Sequence, residues 1–263
     1  MHIVVALKQV LDPNTPAVQL RISDDGRSLD PLAGMSPVMN GYDANAVEAA
    51  VMLKEKHGGS ITLLSIGDES VKAALRRAFA MGGDRAVLIA GPTGLAADSA
   101  ATAALLAAAI RKLAPVDLIL AGRQASDTDA GQVPQRLAAL LDLPVITPVK
   151  GFTIDAAGGA TVERIGDGTT QRLKVMLPAV LGVSNEINKP RPAPLKGVML
   201  AKKAEIPTWS AADLGIEPPM PALILRRLSV SPMPESRAEL IAAPSAAAAG
   251  VALADRLRQE GMI

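Results

Sequence analysis

Hydrophobic positions in the first half of the chain switch between two rhythms. Ile3 to Leu7, Ser60 to Ile66, Ala86 to Ala90 and Leu118 to Ala121 are short, nearly continuous apolar runs, as parallel strands covered on both faces require. Between them, apolar residues recur at helical spacing. Ala46, Val47, Ala50 and Val51 form one stripe, and Val71, Ala74, Leu75 and Ala78 a second. An alanine-rich run to about Leu113 makes a third, and Val133, Leu137 and Leu140 a fourth. Punctuation agrees with these elements. Asp43 reads as an N-cap, Gly58-Gly59 follow the first helix at His57, Ser70 caps the second helix and Met81-Gly82-Gly83 ends it, and Asp98 or Ser99 caps the third. Pro134 fits the fourth helix, about Ala130 to Leu141, only in its first turn. The alternation predicts an α/β fold, a mostly parallel sheet with helices on both faces.

The texture changes after Pro148. Phe152 to Ile154, Val162 to Ile165 and Arg172 to Leu177 read as short strands joined by Gly/Asp turns, a small β-rich insertion, and Ala179 to Ser184 returns to the main sheet. Asn185 to Lys203 is rich in Pro and Lys and lacks periodicity. The remaining residues hold many prolines, a weak strand at Leu223 to Leu228 and an amphipathic helix near Val251 to Leu257. They lack the apolar content of an independent core and read as an extended arm. The expected division is therefore 1–184 for the α/β domain, 185–205 for a partner-recognition loop and 206–263 for the arm.

Composition narrows the function. Of the 263 residues 49% are hydrophobic and 20% charged, which is globular. Aromatics at 2% leave little to stack on single-stranded nucleic acid, and a net charge of +1 gives no basic field for DNA. With no cysteine there is no disulfide, thiolate metal site or cysteine nucleophile in the chain, and His2 and His57 are too few and too far apart for a His-rich metal site or a serine–histidine triad. No apolar run approaches the roughly 20 residues that span a bilayer. Ile3 to Leu7 lacks the basic lead and cleavage signature of a signal peptide, so a soluble, cytoplasmic protein is expected.

Ligands of open parallel sheets bind at the carboxyl ends of the strands. The segment from Ala121 through Gly122, Arg123, Gln124, Ala125, Ser126, Asp127, Thr128, Asp129, Ala130 and Gly131 to Gln132 follows a buried strand there and opens a helix. Its glycines and the first helical amides, with Arg123 and Thr128, suit a phosphate; a capped turn is the alternative reading. It is neither a dinucleotide fingerprint nor a P-loop. Asn40 and Asp43 lie near the end of the first strand, either as turn and cap or as contacts to a base or ribose. Asp98, Ser99 and Thr102 open the third helix at the same end of the sheet. Arg191, Lys196, Lys202 and Lys203 form a basic cluster, either a solvated loop or a docking patch. No residue pair resembles a catalytic acid/base dyad with a nucleophile, so catalytic residues are not expected.

The motifs Val5-Ala6-Leu7-Lys8-Gln9-Val10, Met39-Asn40-Gly41-Tyr42-Asp43, Ala80-Met81-Gly82-Gly83-Asp84-Arg85, Ala121-Gly122-Arg123-Gln124-Ala125-Ser126-Asp127, Leu177-Pro178-Ala179-Val180 and Glu186-Ile187-Asn188-Lys189-Pro190-Arg191 stand in one order along the chain. In that order the sequence resembles the β subunit of electron transfer flavoproteins, including the nitrogen-fixation branch. The resemblance implies an adenine-nucleotide-binding fold and a heterodimer with an α subunit that holds most of the FAD. It also implies AMP in the β chain, or a second FAD in electron-bifurcating members. On this chain the implied nucleotide contacts are Ala6, Asn40, Ile66 and the loop Gly122 to Val133; Lys8, Asp43, Asp98 and Thr102, at the same end of the sheet, are further candidate contacts. Ile187 falls on the recognition loop, with Arg191, Lys196, Lys202 and Lys203 beside it. Implied electron donors are acyl-CoA or other flavin dehydrogenases, and the implied acceptor is a quinone oxidoreductase.

There are departures from the family pattern. Pro192 replaces an aromatic residue after the Pro-Arg pair, and Thr128 to Pro134 keeps only part of the bifurcating loop. The run Ala97 to Thr102 does resemble the bifurcating branch, so AMP and a second FAD both remain open. A free-standing adenine-nucleotide-binding stress or signalling protein is a further alternative, against which the coreless arm speaks.

Overall fold

The computed structural model describes residues 1–16, 19–31, 36–91, 98–155, 158–230 and 238–263. In chain order its elements are β1 (His2–Ala6), β2 (Gln9–Val10), β3 (Leu20–Ile22), β4 (Leu29–Pro31), β5 (Val38–Met39), α1 (Gly41–His57), β6 (Ser60–Gly67), α2 (Lys72–Met81), β7 (Arg85–Ala90) and α3 (Ser99–Leu113). There follow β8 (Leu118–Gly122), α4 (Val133–Leu141), β9 (Val145–Ile154), β10 (Gly159–Ile165), β11 (Thr170–Met176), β12 (Ala179–Val183), α5 (Leu195–Lys203), β13 (Thr208–Trp209) and α6 (Ala246–Gln259). Among the described residues, nine strands make one sheet in the order β11-β10-β9-β12-β8-β1-β6-β7-β13. Pairs from β9 to β13 along this order are parallel, and β10 pairs antiparallel with β9 and β11.

The continuous apolar runs are explained by period-two alternation between two cores. Ile3, Val5, Leu63, Ala86, Leu88, Leu118 and Leu120 face one core with residues of α1 and α2. Val4, Ala6, Leu64, Val87, Ile89, Ile119 and Ala121 face the other with α3 and α4. Side chains on successive strand positions point to opposite faces, so a strand clothed by helices on both sides must be apolar throughout. The α/β fold with helices on both faces is thereby established.

Local expectations hold in some places and shift in others. Asp98 caps α3, accepting from the amides of Ala100 and Ala101, and α3 ends at Leu113. Asp43, expected as a cap, lies inside α1, whose N-cap is Asn40. Asp68, rather than Ser70, caps the short 3-10 turn before α2. The long first connection holds two small ladders, β2 with β5 and β3 with β4.

The Pro- and Lys-rich stretch contains α5, where no helix was expected. Leu195, Met199 and Leu200 of α5 are exposed and Ala201 alone is buried, so α5 has no apolar stripe of the usual width. Contacts made far away in sequence hold it instead. Arg76 donates to the carbonyls of Ala201 and Ala204 at its end, and a side chain at Gly197 would collide with the Ala80 carbonyl of α2. Leu223 to Leu228, read as a weak strand, pairs in no ladder among the described residues and is not one. Residues 206–216 join the sheet region: Ile206 and Ala211 are buried, and Trp209 extends the β7 edge under Arg85 and Lys112.

The chain divides into compact units 1–228 and 229–263. Within the second unit α6 is capped by Ser245 and none of its residues is buried; Val251 and Leu253 are exposed.

Candidate functional site

The chain path reverses direction between β1 and β8. From β1 it moves through β6 to β7 on one side, then returns to β8, β12 and β9 on the other. Such a reversal opens a crevice at the carboxyl ends of the two central strands. The ladder between them ends at Ala6 and Ala121. Beyond it Leu7 donates to Leu64 of β6, and Arg123 donates to Val183 of β12, both at 2.9 Å. The two strands thus turn to opposite neighbours, and a cavity of about 250 Å³ lies at the fork.

The first turn of α1 reaches into that fork. Asp43 accepts the amide of Lys8 through Oδ2 at 2.7 Å and the amide of Gly122 through Oδ1 at 2.9 Å. Asn40 does not cap its helix with its side chain. Its Nδ2 donates instead to the Gln124 carbonyl, and its Oδ1 accepts from the Ser126 amide. Burial pushes the Asp43 carboxyl up to about 7, against the pull of the Lys8 amide and of Asn40. The Lys8 ammonium pairs with Asp127 at 2.7 Å.

Of the residues expected at a nucleotide, Ala6, Lys8, Asn40, Asp43, Ile66, Thr102, Gly122, Arg123, Gln124, Thr128, Gly131, Gln132 and Val133 line this one cavity. Asp98, Asp127 and Asp129 do not. Asp98 is occupied by four backbone amides, those of Ala100, Ala101, Ala222 and Leu223. The Ala101 amide foremost holds its carboxyl below the usual range. Asp129, at a left-handed φ of 48°, accepts from Gln124. Ala97 lies outside the described residues. Ser99 and Leu106 also line the cavity beside Thr102. The spacing 99, 102, 106 is one helical face; Ser99 and Thr102 were expected at this end of the sheet, and the spacing to Leu106 is the signal that sequence reading did not use.

The donor set suits an anionic nucleotide. Asp98 takes the first amides of α3. By contrast α4 has no side-chain cap, and Gln132, Val133 and Pro134 at its start border the cavity. First-turn amides have no intrahelical acceptor and carry partial positive charge. Gly131, at φ 60°, turns the loop into that helix. Arg123 is steadied over the Tyr42 ring at 5.3 Å. Ala6, Ile66, Leu106 and Val133 supply apolar walls for a base. Among the described residues no cluster of His, Cys, Asp or Glu suits a metal ion, and no helix is long and apolar enough to cross a membrane.

The expected partner residues separate. Ile187, placed on the recognition loop by the resemblance, is half-buried and packs on the first core. Its loop is fastened to α1: Asn45 and Asn188 exchange hydrogen bonds, and Arg191 grips Glu48 and Glu55. Glu55 and Glu48 raise the Arg191 pKa further. Arg191 is therefore internally engaged, while Lys196, Lys202 and Lys203 are exposed on α5. Beside them stand Leu195, 78% exposed, Met199 and Leu200, which sequence reading missed because a Pro-rich approach hid the helix.

A mostly parallel α/β sheet with a cavity at its switch point defines the class of fold. Comparison with known proteins identifies the family. The electron transfer flavoprotein domain matches residues 35–214. The chain is 32% identical to the caffeyl-CoA reductase-Etf complex subunit CarD of Acetobacterium woodii, over the whole of both chains. It is 39% identical to electron transfer flavoprotein subunit beta of Syntrophomonas wolfei, over 81% of each, and 35% identical to FixA of Azorhizobium caulinodans, over 82% of this chain and 78% of the relative. The chain belongs to the electron transfer flavoprotein family, in the branch of β subunits and FixA proteins.

Proposed function

We propose that this chain is the β half of a heterodimeric electron transfer flavoprotein and that its switch-point cavity holds AMP. The α partner holds the electron-carrying FAD, which supplies the redox chemistry when bound. The β chain binds the nucleotide, steadies the partner and presents a docking face. One observation carries the reading: thirteen residues expected at a nucleotide converge on one cavity. Val133 at the uncapped start of α4, with the loop from Gly122, receives the phosphate, and Ala6, Ile66 and Leu106 flank the base. Electrons pass from acyl-CoA or other flavin dehydrogenases to a quinone oxidoreductase, with the complex in the cytoplasm. The C-terminal stretch, with exposed Leu240, Val251 and Leu253, packs on the α partner.

Docking of the dehydrogenase falls on α5, through Leu195, Met199 and Leu200 ringed by Lys196, Lys202 and Lys203, with Ile187 supporting the loop from behind. A helix pinned to α2 is a rigid platform for recognition.

A second reading is supported by the extent of the cavity. It continues past the loop to Ser99, Thr102 and Leu106 of α3, which suits a second FAD in a bifurcating complex. The deciding experiment is ligand extraction from the co-purified heterodimer. One FAD with one AMP per heterodimer supports the first reading, and two FAD support the second. A heterodimer with one FAD and no further adenine nucleotide would remove both.

A further inference from the structure

We propose that Asp43 is a positioning residue of the nucleotide site: its carboxylate is lodged in the fork between β1 and β8, fixes the spacing of the two cleft walls, and leaves the ligand untouched. The proposal rests on the reading of the cavity as an adenine-nucleotide site.

The geometry follows from how parallel strands separate. Once β1 and β8 turn to opposite neighbours, the amides of Lys8 and Gly122 have no strand acceptor between them. A buried amide without an acceptor is destabilising. The two oxygens of one Asp43 carboxylate accept one amide each, at 2.7 and 2.9 Å, from opposite sides of the cleft. Its oxygens are thereby engaged by protein. The residue is 5% exposed, and Lys8, the cation whose charge acts on it, spends its ammonium on Asp127.

Two neighbours fit this assignment. Any side chain at Gly122 would run into Asp43 Oδ1 and would come within 2.7 Å of Tyr42 Cβ, so glycine is needed at 122 because the carboxylate is there. Asn40, on the same helical turn, extends the clamp to Gln124 and Ser126. One turn of α1 thus sets the Lys8 wall, the Gly122 wall and the start of the phosphate loop. Burying a carboxylate with backbone partners in place of a cation is costly, and a helix interior does not call for it; holding two diverging strands does.

The test uses the heterodimer freed of bound nucleotide, with AMP as probe. Asp43→Asn keeps the shape but turns an amide NH2 toward one of the two donors. Val47→Ala, in the core one turn along α1, is the stability control. Asp43→Asn is expected to weaken AMP at least about tenfold by calorimetry, with a melting temperature no lower than that of Val47→Ala, which keeps its AMP affinity. If Asp43→Asn does not assemble, Gly122→Ala decides, because its methyl displaces the same carboxylate, and the same loss is expected. Wild-type AMP affinity in the assembled Asp43 or Gly122 variant overturns the proposal, as does a loss that Val47→Ala reproduces. A wild-type heterodimer that binds no adenine nucleotide overturns the reading of the cavity itself, and this inference with it.

Discussion

Asp98 Oδ2 accepts the backbone amide of Ala222 at 2.6 Å, while Oδ1 caps α3 through Ala100 and Ala101. One carboxylate therefore joins the start of a cavity-lining helix to a segment 124 residues further along. Asp98→Asn retains the cap oxygen but points its NH2 at Ala222 and Leu223. The cost is about 1–2 kcal/mol. Hydrogen exchange is expected to quicken at Ala222 and Leu223 while Ala100 and Ala101 stay protected. Equal quickening at all four amides would mean that the carboxylate acts on the helix alone.

Gly131 occupies left-handed backbone at φ 60°, with nothing nearer than 3.7 Å to a notional Cβ. Space is not the constraint there; conformation is. Gly131→Val should strain the loop by about 1–2 kcal/mol and strip nucleotide from the heterodimer, whereas Arg123→Ala should weaken it without removing it. Nucleotide content of the purified complexes, measured by chromatography after denaturation, checks this. Full content in the valine variant would move the phosphate away from the loop.

Leu195 and Ile187 should behave oppositely. Leu195 is 78% exposed, so Leu195→Ala is expected to leave the melting temperature unchanged and raise the KM for the dehydrogenase roughly tenfold or more, since burying such a side chain in a partner is worth about 1.5–3 kcal/mol. Ile187 packs on the core, so Ile187→Ala should cost about 1–2 kcal/mol of stability with docking retained. A docking defect confined to Ile187→Ala would return the contact to the loop.

Asp43 holds its proton more tightly in the fold than in the unfolded chain, about 7 against 3.8. The stability this contributes is fully present below pH 3.8 and is lost as pH rises through 7. Subtracting the Asp43→Asn profile from that of the wild type isolates it: the wild type should lose ground to the variant between pH 4 and pH 7. A difference that is flat with pH would show that the carboxyl titrates normally.

How much was legible beforehand differs by element. The strands β1, β6, β7 and β8 were readable because a doubly covered strand is apolar at every position, and α1 to α4 because a helix on a sheet shows its stripe. The connection 122–133 was readable as a turn between strand and helix by its glycines, and it lines the cavity. By contrast α5 was invisible, because its apolar residues face outward and its anchors, Arg76 and Gly197, are recognisable only once α2 lies beside it.

The sequence by itself determined the alternating architecture, the end of the sheet at which the cavity opens, and the family. Those follow from local periodicity and from motifs a few residues long. Tertiary structure alone decided what individual polar residues do. Asp43 reads as a helix cap until Lys8 and Gly122 meet it across the fork. Asp98 looks like a ligand contact until Ala222 claims its second oxygen. Arg191 reads as a docking cation until Glu48 turns out to be its partner. In each case the deciding hydrogen bond spans from 35 to 143 residues of chain, and periodicity carries no information over that distance.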